Sequence, residues 1–202
     1  LAVLITAIGA SYFLQNAAQL IWGSDPKNFT SIVIFSPIKL FDGQVTITGE
    51  VLVTVITCIV IMIALVLFTE KTKIGKSMRA VSEDRDAAQL MGIHVNRTIS
   101  VTFAIGSALA AIAGILLCST VPTLQPTTGS MPGIRAFTAA VFGGIGSIPG
   151  AMLGGLVLGL VETFTKGYIS TQFSDAVVFL VLIVVLLVKP SGLLGRFVPE
   201  KV

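Results

Sequence analysis

The stretch GEVLVTVITCIVIMIALVLF, residues 49–68, decides the fold. Its Val, Ile and Thr content would suit a β-strand in water, where branched side chains pack well on a pleated surface. Its length says otherwise: about 20 residues, apolar apart from Glu50, Thr54 and Thr57, match the hydrocarbon core of a bilayer crossed as a helix. A lone strand in lipid leaves its backbone N–H and C=O groups without partners, so this segment must be helical.

The rest of the chain agrees. Of 202 residues, 54% are hydrophobic and 11% charged, against about 25% charged in soluble domains, and the mean hydropathy is +0.96. The apolar residues run in continuous blocks instead of alternating, which favours helical spans over a β-barrel and points to a polytopic bundle of transmembrane helices, an all-α fold in one membrane domain. The chain starts at Leu1 inside an apolar block, with neither Met nor a basic leader, so the expectation is a chain missing its beginning and not a signal peptide.

After residue 68 comes TEKTKIGKSMRAVSEDRDAAQLMGIHVNRT, residues 69–98, carrying Lys71, Lys73, Lys76, Arg79, Arg85 and Arg97. Basic residues collect on the cytoplasmic side, so the net charge of +3 is topological and marks no nucleic-acid surface. Residues 23–48 hold only Lys27 and Lys39 and are expected outside. Within them, IKLFDGQVTIT alternates around Asp42-Gly43, a turn pair favoured in short hairpins. Asn28-Phe29-Thr30 fits a glycosylation tripeptide too common to carry weight.

The first span, Leu1 to Trp22, places Tyr12, Gln15, Asn16 and Gln19 at i, i+3, i+4 and i+7, on one helical face. Such a face avoids lipid, either by hydrogen-bonding to other helices or by lining a substrate pathway. Trp22 suits an interfacial anchor. The third span, Ile99 to Ser119, has Gly106, Ala110 and Gly114 at a spacing that admits a close neighbouring helix. After the proline-containing loop VPTLQPTTGSMPG, a short helix from Gly133 to Phe142 should end at GGIGSIPG, residues 143–150, and a full span should follow to Thr165. Broken helices at membrane depth sit in protein or beside a water-filled path. Gly143, Gly144 and Gly146 are thus candidates for a pathway or for tight packing. Glu162 reads as an interfacial carboxylate, with no ionisable partner expected in its own helix. The last span, Phe173 to Val188, leads to KPSGLLGR, where Lys189, Arg196 and Lys201 indicate a cytoplasmic C-terminus.

No catalytic or cofactor chemistry stands out. There is no GxxxxGK phosphate loop, the single His94 lacks ligand-spaced neighbours, and Cys58 and Cys118 read as small packing residues. Neither an enzyme nor a metal site is expected.

The basic loop also contains a candidate helix from Glu83 to Gly92, started by Ser82 and favoured at its N-terminus by Glu83, Asp84 and Asp86. Ala87, Leu90 and Met91 would form one small apolar face, with Arg85 and Gln89 on another and Gly92 as terminator.

DAAQLMG at 86–92 resembles the EAA-type coupling motif of ABC importer permeases, with Asp86 for the usual Glu and without the later Leu-Pro pair. The longer runs TKIGKSMRAVSEDRDAAQLMGIHVNRT, FAIGSALAAIAGIL, IRAFTAAVFGGIGSIPGAMLGGLVLGLVET and KPSGLLG, with FLQN at 13–16, are similar to the branched-chain amino acid permease family, in the branch of the high-affinity leucine, isoleucine and valine system. The resemblance covers essentially the whole chain. It implies a multi-pass subunit of a bacterial inner membrane, paired with a second permease, fed by an external substrate-binding protein and driven by two cytoplasmic ATPase subunits that bind the ATP. Coupling would fall to Glu83, Asp86, Ala87, Ala88, Leu90, Met91 and Gly92, edged by Arg79 and Arg85. Relatives in that family carry urea or short-chain amides. On the residues alone, an ion-coupled carrier and a channel-like protein remain open.

Overall fold

The computed structural model describes residues 2–30, 38–40 and 45–195. Eight helices dominate them: α1 Ala2–Trp22, α2 Gly49–Lys71, α3 Lys73–Glu83, α4 Arg85–Leu90, α5 Val95–Thr120, α6 Ser130–Gly143, α7 Ile148–Tyr168 and α8 Ser174–Val188. Among the described residues, α2, α5 and α7 are long and apolar enough to cross a membrane, and α8 is a shorter apolar helix of 15 residues. Large apolar side chains such as Val55, Ile56 and Phe103 stand outward along α2 and α5, as expected where lipid or another subunit is the solvent.

The chain divides into two compact units, residues 1–61 with 68–130 and residues 62–67 with 131–202. In the first, α3 packs on α5, and α4 packs on both. Two short strands, β1 (Lys27–Asn28) and β4 (Thr123–Leu124), pair antiparallel with Lys27 opposite Leu124 and Asn28 opposite Thr123. Phe29 N adds a 2.9 Å bond to Pro122 O, so the segment after α1 is tied to the segment after α5. The hairpin forms from β2 (Ile38–Leu40) and β3 (Val45–Ile47), with Leu40 opposite Val45. Its Asp42-Gly43 turn lies outside the described residues, as do Arg196 and Lys201.

Residues 69–98 are more helical than their polarity suggests. Thr72 closes α2 and opens α3: its hydroxyl donates to Phe68 O at 2.6 Å and accepts from Gly75 N at 3.0 Å. The turn is tight enough that a Cβ on Gly75 would stand 2.5 Å from Phe68 O. Val81 then buries on the inner side of α3. The helix expected from Glu83 to Gly92 therefore begins later, and Glu83 is the last residue of α3 instead. Ser82 does not cap it, because its hydroxyl is bonded to Arg79 O at 2.7 Å inside α3.

In the second unit, α6 and α7 are broken apart at 144–147 and lie side by side. α6 begins at Ser130, three residues before the expected start, and accommodates Pro132 in its first turn, where the missing N–H is harmless. With 14 residues, α6 is about 21 Å long at 1.5 Å per residue. Phe142, Leu158 and Val178 form the buried core of this unit, with Ala139, Val157, Val181, Leu182 and Val185 around it.

The small-residue stripe of α5 meets no neighbour among the described residues. A Cβ on Gly106 or Gly114 would touch nothing within 4 Å. Cys118 is buried as expected, whereas Cys58 is exposed on α2.

Candidate functional site

The coupling candidate is a short helix with well-satisfied ends. Asp84 is the N-cap of α4: its Oδ1 accepts from Asp86 N and Ala87 N, both at 3.0 Å. At the other end Gly92 N donates to Gln89 O and Ile93 N to Ala88 O, each at 3.0 Å. With Gly92 at φ +84° this is a Schellman closure, which needs the left-handed conformation glycine adopts without strain. Ala88 turns inward at 3% exposure, while Leu90 and Met91 stand out at 89% and 83%. Arg85, Asp86 and Gln89 border an open pocket of about 550 Å³ with Gly92, His94 and Asn96. Arg79 lies on α3 instead, exposed and 3.8 Å from Glu70. The net result is a small helix held by its inner face and presenting two large apolar side chains.

The break after α6 is built from backbone contact. Cβ atoms on Gly143, Gly150 and Gly154 would each collide with main chain across the α6–α7 pair. Gly144, at φ +108°, lies against Gly195 and Ser191 of the segment after α8. Leu193 N and Leu194 N donate to Phe142 O and Gly143 O, both at 2.9 Å. These two carbonyls at the α6 C-terminus, which a helix end would otherwise leave unpaired, are thus satisfied by KPSGLLG. Gly143 and Gly144 are buried by this packing, whereas Gly146 is exposed, at φ +91° with open space around it.

At the opposite end of the same three helices lies an ion cluster. Arg135 of α6 donates through Nη1 to Glu162 Oε1 of α7 at 2.8 Å and through Nη2 to Asp175 Oδ1 of α8 at 2.5 Å. Lys166 also donates to Glu162 Oε1, at 2.5 Å. The expectation that Glu162 lacks a partner in its own helix is therefore corrected: Lys166, four residues on, lies on the same face. Glu162 is the best shielded of the cluster, at 17% side-chain exposure. Arg135, Lys166 and Asp175 were not singled out as site residues. The signal for Arg135 is a lone cation inside an apolar helix, which in a membrane is a functional feature by default.

The polar face of α1 is only partly drawn into contacts. Gln15 Nε2 donates to Ser11 Oγ, and its Oε1 accepts from Ser130 Oγ, both at 3.2 Å. Asn16 Nδ2 turns back to Tyr12 O at 2.7 Å. Tyr12 is exposed and Gln19 half-buried.

Comparison with known proteins places this architecture. The family model described as "Branched-chain amino acid transport system / permease component" matches residues 1–186. The chain belongs to that family. The high-affinity branched-chain amino acid transport system permease protein LivH of Salmonella typhimurium is 45% identical, aligning with 100% of this chain and 66% of its own length. The corresponding protein BraD of Pseudomonas aeruginosa is 44% identical, over 98% of this chain and 66% of that one. The fructose import permease protein FrcC of Rhizobium meliloti is 32% identical, over 75% of this chain and 42% of the relative. The chain spans 66% of the length of LivH and BraD, just under two thirds. No solved structure matches it. The long apolar helices α2, α5 and α7 fit the polytopic helical fold of that membrane family.

Proposed function

We propose that this chain is the membrane-spanning subunit of an ATP-driven importer of branched-chain amino acids in a bacterial inner membrane. In this reading it stands beside a second permease, receives substrate from an external binding protein and is driven by two cytoplasmic ATPase subunits, which bind the nucleotide. Similarity to LivH and BraD supports the substrate class, and the exposed Leu90–Met91 knob on a capped helix carries the coupling role. Such a knob fits a partner's apolar groove, while the buried Ala88 and the packing of α4 on α3 and α5 pass its displacement to a long apolar helix. The basic residues of 69–98 and Lys189 after α8 each suit the cytoplasmic side.

The test is reconstitution of the full-length importer with Ala87→Arg, which puts a charge beside the knob without disturbing either cap. Membrane insertion should be unchanged, and leucine taken up per ATP hydrolysed should fall by about tenfold or more, as expected for loss of a central interface contact. Uptake at the wild-type ratio would remove α4 from the coupling role. Uptake driven by a proton gradient without ATP would instead favour an ion-coupled carrier, for which Arg135, Glu162 and Asp175 are the relevant groups.

A further inference from the structure

We propose that the open pocket beside Arg135, lined by α6, α7 and α8, is a transit site for a zwitterionic aliphatic amino acid. The proposal rests on the importer reading and adds the place where this chain itself meets the substrate.

The pocket has a volume of about 220 Å³. That is below the roughly 300–1,000 Å³ of sites for drug-sized ligands and suits a molecule of amino-acid size. Its two ends differ. One holds the Arg135 and Glu162 head groups; the other is apolar, lined by Ala139, Gly155, Leu158, Gly159 and Val178. Leu158 and Val178 are core residues, so that end is a firm surface. Gly159 leaves open space where a side chain would be, and a Cβ on Gly155 would only brush Ala139 at 3.7 Å. The helix thus keeps the pocket clear by having no side chains there.

The charges match a zwitterion. Arg135 and Lys166 balance Glu162 and Asp175, so the site is neutral overall, as is an amino acid. Arg135 also has a buried Nε–H with no acceptor among the described residues. A guanidinium binds a carboxylate best through two parallel N–H groups. A substrate carboxylate that takes Nε–H and a neighbouring Nη–H would release one protein carboxylate from Arg135, and the substrate ammonium would pair with that carboxylate. Ion pairs are exchanged with no net charge moved, which avoids leaving a charge unpaired in a shielded place. The aliphatic side chain would lie over Gly155 and Gly159.

Two variants of the full-length importer in proteoliposomes test this, with leucine and alanine uptake as the readout and co-purification of all subunits as the measure of assembly. Gly159→Leu fills the apolar end, improves helix propensity and touches no charge. It should lower leucine uptake by about tenfold or more and alanine uptake less, the size of effect that misfit by a few methylene groups produces. The double variant Arg135→Gln/Glu162→Gln keeps the shape and removes a balanced charge pair, and it should lower uptake of both amino acids alike. An unchanged leucine-to-alanine ratio in Gly159→Leu, or wild-type uptake in the double variant, would overturn the site. So would loss of assembly in both, which would assign these residues to packing alone. Wild-type vesicles that take up no leucine with ATP would sink the importer reading itself, a result seen before either variant is compared.

Discussion

Two turn glycines, Gly92 after α4 and Gly144 after α6, have the same left-handed backbone and different reasons for being glycine. Gly92 sits at φ +84° with nothing within 4 Å of a would-be Cβ. Only its backbone conformation excludes other residues. Gly144 sits at φ +108°, and a Cβ there would stand 2.6 Å from Gly195 Cα and closer still to its nitrogen. It is glycine for conformation and for contact together. The first turn ends a helix that presents a surface, so the space beyond it stays open. The second joins three helices to the segment after α8, so the space is filled by main chain.

This difference predicts a graded set of effects. Gly144→Ala combines a left-handed alanine with a backbone collision and should destabilise the second unit by about 3 kcal/mol or more, read as a large fall in the thermal midpoint of the purified protein in detergent. Gly146→Ala, two residues along at φ +91° but in open space, should cost only about 1–2 kcal/mol in the same assay. An equal loss in the two would show that conformation alone explains both positions. Asp84→Ala removes the two capping bonds of α4 and should cost about 1 kcal/mol, seen as faster amide exchange at Asp86 and Ala87. Arg79→Ala deletes an exposed pair with Glu70 and should change stability by about 0.5 kcal/mol or less. A larger effect would mean that the α3 surface is more constrained than its exposure indicates.

Much of the scaffold was legible because its signals are local. The length of residues 49–68, the Gly and Pro density of 143–150 and the stop at Gly92 each act within a few residues. The start of α4 was misplaced for an equally physical reason. Ser82 and Asp84 are both competent caps, and the choice between them was made by Thr72, Gly75 and Val81, which let α3 form and bury against its neighbours. Of the ion cluster, only Glu162 and Lys166 are four residues apart and readable on one helix; Arg135 is 27 residues from Glu162 and 40 from Asp175. No periodicity connects such positions.

By itself the sequence determined that this chain is a bundle of membrane-spanning helices, where the long basic interruption falls and where one helix must break. Hydrophobic length, charge and glycine conformation act at short range and survive without knowledge of the partners. Tertiary structure alone decided which glycines are pressed against main chain, that KPSGLLG satisfies the carbonyls at the end of α6, and that Arg135 lies between Glu162 and Asp175. Those outcomes depend on close approach between segments distant in sequence, where a few tenths of an ångström separate a contact from a collision.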